Sequence, residues 1–167
     1  MKLRIVLSAI AMLSVLGCGS DNGMYTLSSG TYGLSNTSAV APDNCNVGPL
    51  FPDNTNIQIA VSASNATFAF GAVDPAHNPV TGIQGNTISS GSKSFDVDNR
   101  TNPSGQAFDC VETITETVSG GLLANDQVQG ALVYASVQKS GTQCTPTLLG
   151  YKAYPCSSSL SFIAKKK

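Results

Sequence analysis

From Phe108 to Lys139 the chain alternates almost without interruption, FDCVETITETVSGGLLANDQVQGALVYASVQK. A period of two sustained that long is the pattern of a strand, and two such runs about Asn125-Asp126 predict an antiparallel hairpin. Pairing Ala124 with Gln127 sets Val118 opposite Val133, Glu116 opposite Ala135, Ile114 opposite Val137 and Glu112 opposite Lys139. The other face then pairs Thr117 with Tyr134, Thr115 with Ser136 and Thr113 with Gln138. One face is mostly aliphatic and the other mostly hydroxylated, as a half-buried ribbon requires. Sliding the pairing by one residue mixes the two faces, so this register is the expected one.

The remaining segments carry the same signal in shorter pieces. Thr31 to Leu34, Ile57 to Val61, Thr67 to Gly71, Val80 to Ile83, Thr87 to Ser90, Phe95 to Val97 and Ser159 to Ala164 each read as a strand. Turns or loops at 63–66, 72–79, 84–86 and 98–105 separate them. With 167 residues, 11% of them charged, the chain has room for one domain and few of the residues that favour helix. The expected fold is all-β, an antiparallel meander of about eight or nine strands closed into a small barrel, with a β-sandwich as the alternative. In outline such a meander resembles lipocalin- and avidin-like domains and β-domains of bacterial lipoproteins, without a signature motif of any of them. A net charge of −1 supplies no basic face, which argues against a nucleic-acid partner.

The N-terminus carries a different kind of information. Lys2 and Arg4 precede an apolar run of twelve residues, Ile5 to Leu16. As a helix that run reaches roughly 18 Å, short of the ~30 Å hydrocarbon core, so it reads as the apolar region of a signal peptide. Val15-Leu16-Gly17-Cys18 then resembles the lipobox of bacterial lipoprotein precursors. The resemblance implies cleavage before Cys18, lipidation of its thiol and acylation of the new amino group. The membrane is then a partner through the lipid anchor. Gly19 after the cysteine points to the outer membrane of a Gram-negative cell. The expected organisation is a signal peptide over 1–17, a flexible tether over 18–30 and one β-domain over 31–167. Lys165 to Lys167 read as a solvated tail. Ordinary cleavage near Ser20 is the alternative.

With Cys18 assigned to the anchor, Cys45, Cys110, Cys144 and Cys156 remain. An even count in an exported domain predicts two disulfides, and spacing alone allows three pairings. The hairpin register puts Cys110 opposite Gly141, three residues from Cys144. It therefore selects Cys110–Cys144 and leaves Cys45–Cys156 to join the beginning of the domain to its end.

Chemistry is sparse. His77 is the one histidine, and neither a nucleophile elbow nor a phosphate-binding glycine loop is present. No metal site or cofactor is expected, since one imidazole and four oxidised cysteines make a poor ligand set. Asp96-Val97-Asp98-Asn99 starts like a calcium loop, but Arg100 and Thr101 stand where a ligand and a glycine are needed, so it reads as a turn. Asn36, Asn65 and Asn99 begin glycosylation tripeptides that this composition produces by chance. Glu112 and Glu116 fall on the aliphatic face. Their Cα atoms are roughly 13 Å apart along a strand, beyond the ~5–9.5 Å of paired glycosidase carboxyls. Lys139 is expected to answer Glu112. Glu116 has two readings: it marks a ligand cavity in the barrel, or it sits near Gly120-Gly121 at an opening or bulge and reaches water.

These features predict a non-enzymatic envelope lipoprotein that binds a small molecule or an envelope protein. A structural surface protein without a pocket is the first alternative, and a hydrolase with a loop-borne site the second. Mass spectrometry of the mature N-terminal peptide is expected to find it beginning at an acylated Cys18. A bare thiol there, or a start beyond it, contradicts the anchor.

Overall fold

Every segment expected to be extended contains a strand in the computed structural model, which describes residues 23–70, 75–101 and 108–167; the one expected over 67–71 runs instead over Asn65–Ala69, two residues into the expected turn, and Gly71 lies outside the described residues. The order is β1 (Gly30–Val40), β2 (Asn56–Ser62), β3 (Asn65–Ala69), β4 (Val80–Gln84), β5 (Thr87–Asp98), β6 (Cys110–Ala124), β7 (Gln127–Gly141) and β8 (Cys156–Lys166). Every strand pairs antiparallel with its neighbours in sequence, and β8 returns to pair with β1, so the sheet is a closed barrel of eight strands. The two segments expected at 87–90 and 95–97 are one strand, carried through by a bulge between Ile88 and Gly91. Gly91 is required there, because a Cβ would lie 2.1 Å from the Val80 carbonyl oxygen. The lipobox and Cys18 lie outside the described residues.

The barrel has two unlike ends. One, the turn end, carries the tight β2–β3, β4–β5 and β6–β7 turns. The other, the loop end, carries the long connections. Strands β2 to β4 are only 5–7 residues long, whereas β5 to β7 run to 12–15. The full ring of eight therefore exists only near the turn end. Towards the loop end β1 and β5 to β8 continue alone, and the missing wall is replaced by loop residues such as the buried Cys45 and Val47.

The interior is apolar and filled. Tyr32, Leu34, Ile57, Ile59, Phe68, Leu132, Leu160 and Phe162 are all at most 2% exposed. Phe70 links Phe68, Phe162 and Phe51 into an aromatic run with ring centroids 5.4–6.3 Å apart. The outward face of β5 and β6 is hydroxylated: Ser92 meets Thr117 at 2.6 Å and Ser94 meets Thr115 at 2.7 Å. This polarity is the reverse of a membrane-spanning barrel, whose lumen is polar and whose outer band is apolar. Among the described residues no helix is long and apolar enough to cross a membrane.

Both expected disulfides are present, Cys45–Cys156 and Cys110–Cys144. On the chain-entropy account, loops of 111 and 34 residues correspond to about 5 and about 4 kcal/mol of stabilisation.

The hairpin register needs correction. Ala124 pairs with Gln127 and Cys110 with Gly141 as expected, but a bulge between Leu122 and Ala124 shifts everything between by one residue. Val118 faces Leu132, Glu116 faces Tyr134, Ile114 faces Ser136 and Glu112 faces Gln138. A second bulge, between Val111 and Glu112, restores the original count at Cys110. The inward face of β6 is as expected, while β7 is turned over, with Val133 and Val137 outside and Leu132 inside. The reason is size: position for position, Leu132 and Tyr134 are larger than Val133 and Ala135, and a closed interior is better filled by the larger side chains. Lys139 consequently lies outside, where it pairs with Asp96 rather than Glu112.

The boundaries also shift. Residues 25–28, expected in the tether, are held: Tyr25 N–H donates to Asn86 Oδ1 at 2.8 Å, Thr26 N–H to Asn125 Oδ1 at 3.0 Å and Ser28 N–H to Asp126 Oδ1 at 2.8 Å. Tyr25 and Leu27 pack against the core. At the other terminus β8 continues through Lys166, whose Nζ donates to Ser28 Oγ at 2.6 Å, so the lysines are not a free tail. Turn residues with side-chain acceptors, Asn86, Asn125 and Asp126, give the segment before β1 a place to dock.

The corrected register predicts opposite outcomes for adjacent residues. Leu132→Ala is expected to lower stability by about 2–5 kcal/mol. Val133→Ala should stay within about 0.5 kcal/mol. Urea unfolding of the two variants checks this, and the reverse ranking would restore the unshifted hairpin.

Candidate functional site at the loop end

Three successive inward rungs lead from the core to the loop end: Lys93, Glu116 and Tyr134; then Phe95, Ile114 and Ser136; then Val97, Glu112 and Gln138. The rung before them, Gly91, Val118 and Leu132, still belongs to the buried apolar interior. Polarity therefore enters at Glu116, where the short strands have already ended.

Glu112 is buried and fully engaged. Its Oε1 accepts from Asn99 Nδ2 at 3.1 Å, and its Oε2 accepts from Ser136 Oγ at 2.5 Å and from the Tyr151 hydroxyl at 3.1 Å. Because Tyr151 gives its proton to the carboxylate, the Tyr134 hydroxyl donates to Tyr151, at 3.1 Å. A chain of hydroxyls thus runs from Tyr134 through Tyr151 to Glu112. Tyr154 stacks on Tyr151 with ring centroids 6.1 Å apart, and its buried hydroxyl has no hydrogen-bond partner among the described residues.

The loops that supply these groups are held covalently and by backbone bonds. Cys45–Cys156 ties the segment 41–55 to the start of β8, and the Lys152 N–H donates to the Asn44 carbonyl at 2.8 Å. Asp43 caps the Val47 and Gly48 amides at 2.8 and 3.1 Å. Despite its partial burial, those amides hold its carboxyl below the ordinary range. Cys110–Cys144 and a bond from Asp109 N–H to Gln143 Oε1 at 2.8 Å secure the other side. A short helix, Pro146–Leu149, capped by Thr145 and closed by the left-handed Gly150, leads into Tyr151.

Glu116 stands apart from this network. It is half-buried, burial raises its carboxyl above the ordinary value, and it has no hydrogen bond or ion pair among the described residues. Lys93 shares its rung but is exposed to solvent and forms no ion pair with it. His77 sits in a single 3₁₀ turn, Pro75–His77, with its ring stacked on Phe95 at 4.3 Å. Its Nδ1 is buried without a hydrogen-bond partner among the described residues.

Asp96 and Asp98 each answer a cation: Lys139 and Thr113 donate to Asp96, while Arg100 donates to Asp98 from Nε at 2.9 Å and Nη2 at 2.7 Å. Those bonds bring Asp98 down to about 2. Asn99–Thr101 forms a 3₁₀ turn, in keeping with the turn reading of this stretch. Among the described residues no group of three or more His, Cys, Asp or Glu is placed to hold a metal.

Three open depressions mark the outer surface. One of about 400 Å³ lies along Ser119–Leu123 and Gln129–Ala131, one of about 210 Å³ beside Val40–Pro42, Val133 and Ser157–Ser159, and one of about 200 Å³ near Ser64, Asn65, Gly82–Gln84, Thr87 and Ser89. None is lined by Glu112, Glu116 or His77. Glu116, half-buried on the first polar rung, lines none of these three depressions. Sequence patterning singled out the two glutamates but not Tyr134, Ser136, Tyr151 or Asn99. The position of Tyr134 depends on the bulge, and Tyr151 lies in a loop that no periodicity describes.

Comparison of the chain with protein-family models, with curated proteins and with solved structures finds no match.

Four tyrosines have their phenols raised, by burial first of all: Tyr32 to about 12, with Tyr134, Tyr151 and Tyr154 also above their ordinary value of 10.0. Their protonated forms contribute stability that is intact below the unfolded value and is lost as pH rises through the folded ones. Stability measured by urea unfolding should fall as pH climbs above about 10. Tyr134→Phe should reduce that dependence, and a flat profile would contradict the buried hydroxyl chain.

Proposed function

We propose that the mature protein is a non-enzymatic interaction module of the cell envelope, lipid-anchored through Cys18 and making its specific contacts at the disulfide-stapled loop end. The observation that carries this reading is Glu116. A carboxyl raised by burial and answered by no cation among the described residues disfavours the folded state at neutral pH, while the neighbouring Tyr134, Ser136 and Glu112 are paired. A residue that breaks local consistency in this way is the kind found at working surfaces. The filled apolar interior supports contact at a rim over transport inside a lumen. The anchor and the outer-membrane address rest on the lipobox resemblance at residues 15–18.

A second reading, a structural surface protein without a pocket, draws on the hydroxyl pairs of β5 and β6 and the uncharged β7 and β8 positions beside them. The two are separable. Thermal-shift and calorimetric titration with peptidoglycan fragments, envelope saccharides and small amines should identify binding that Glu116→Gln reduces at least tenfold. The same substitution is expected to raise stability at neutral pH and to lose that advantage in acid, where Glu116 is already protonated. A panel in which no probe binds would leave the structural reading in its place, and equal binding by wild type and variant would remove Glu116 from the site.

A further inference from the structure

The two ends of the barrel differ in charge as well as in connection, and the segment that leads to the anchor leaves from one of them. Tyr25, Thr26 and Ser28 are bonded to Asn86, Asn125 and Asp126, all in the turns of the turn end. The Asp126 N–H donates back to the Thr26 carbonyl at 2.8 Å, and the Tyr32 hydroxyl closes the knot on the Ser28 carbonyl at 2.6 Å. The chain N-terminal to Tyr25 therefore departs from the turn end and from nowhere else.

Charge follows the same division. In the turn-end segments 23–34, 57–70, 82–91, 118–131 and 160–167 the charged residues are Asp126 and Lys165 to Lys167. Asp126 is occupied internally by Ser28 and Tyr32, with Lys166 beside it. Lys166 Nζ is spent on Ser28, which leaves Lys165 and Lys167 as exposed cations. In the rest of the described chain acidic residues outnumber basic ones, seven to four. Counted over the side chains of the described residues, the turn end is net positive and the remainder net negative, with the positive end where the tether emerges.

From these placements we infer that the turn end is a membrane-facing surface that rests on anionic phospholipid headgroups, with Lys165 and Lys167 as the contacts, and that the loop end points away from the bilayer. The inference rests on the lipid-anchored reading of Cys18. Geometry makes the orientation one-sided. Seven residues from Cys18 to Tyr25 extend at most ~25 Å. A 15-residue strand tilted in a barrel spans roughly 38 Å along the axis. The tether cannot run the length of the barrel, so the loop end cannot be brought to the lipid surface while residues 25–28 stay docked. Two free lysines near an anionic leaflet then add a second, electrostatic attachment to the acyl chains.

The experiment uses the full mature chain reconstituted in phosphatidylglycerol vesicles and in matched phosphatidylcholine vesicles. Lysines are modified with a water-soluble acylating reagent and read by peptide mass spectrometry. Lys165 and Lys167 should be modified about fivefold more slowly on the anionic vesicles than on the neutral ones. The exposed loop-end lysines Lys139 and Lys152 should react alike on both. The difference should vanish at molar salt, where screening acts within ~3 Å. In each of the single variants Lys165→Gln and Lys167→Gln the remaining lysine of the pair should show a smaller difference between the vesicles than it does in the wild type. Equal rates at Lys165 and Lys167 on the two vesicles, or protection of Lys139 and Lys152 instead, overturn the orientation. The N-terminal peptide of the same digest reports the premise separately: an acylated Cys18 with unprotected lysines defeats the orientation alone, whereas an unacylated chain defeats both.

Discussion

The pairing of β8 with β1 is the contact on which the rest of the molecule depends. Until the last strand meets the first, the meander is an open sheet with two unpaired edges, and Leu34, Leu160, Phe162 and Ala164 have no shared interior to enter. Closing the ring removes both edges along the strands that complete it. It also forces a choice of inward face on every strand, because a closed interior of this size is filled by side chains. The inversion of β7 follows from that choice. Taken alone, the 108–139 hairpin can be written with Val133 and Val137 inward. Inside a ring already containing Phe68, Phe162 and Leu160, the larger Leu132 and Tyr134 displace them, and the bulge at Leu123 is the local accommodation.

Closure is complete at only one end, and the covalent chemistry of the chain addresses the other. Where β2 to β4 have ended, β1 lacks a partner on one side over residues 35–40 among the described strands, and so does β5 over 92–98. Backbone groups and apolar side chains there are covered by loops, which have fewer cooperative bonds than strands. Cys45–Cys156 holds one such loop against the ring and Cys110–Cys144 holds the start of β6 against the loop that carries Tyr151. The tight turns at the opposite end need no such help. Their acceptors, Asn86, Asn125 and Asp126, instead dock the segment before β1. Division of labour between the ends is therefore built into strand length: one end can be simple because it is a complete ring, and the other can be polar because it is stapled.

Much of this was legible in the amino-acid sequence, for identifiable reasons. Two-residue periodicity located all eight strands, and the even cysteine count with the Cys110–Gly141 pairing selected the disulfides that are present. That pairing survives only because a second bulge, at Lys139 opposite Val111 and Glu112, cancels the first. Register inside the hairpin was not legible, since Leu132 and Tyr134 on one face compete with Val133, Ala135 and Val137 on the other for the interior, and the deciding packing partners lie on β3 and β8. The glutamates were visible as charges on an inward strand. Their surroundings were not: Glu112 is satisfied by Asn99, Ser136 and Tyr151, which come from three elements, while Lys139, its expected partner, is directed outward. The docking of residues 25–28 was not legible because its acceptors, Asn86, Asn125 and Asp126, are remote in sequence.

The ring sustains the turn end while the disulfides sustain the loop end. Native-state hydrogen exchange on oxidised and reduced protein addresses this division directly. On reduction, amides of residues 38–40, 110–114 and 157–159 should lose protection, whereas those of 30–34, 57–59, 118–122 and 162–164 should keep most of theirs. Uniform loss along β1, β6 and β8, or protection unchanged at the loop end, would contradict it.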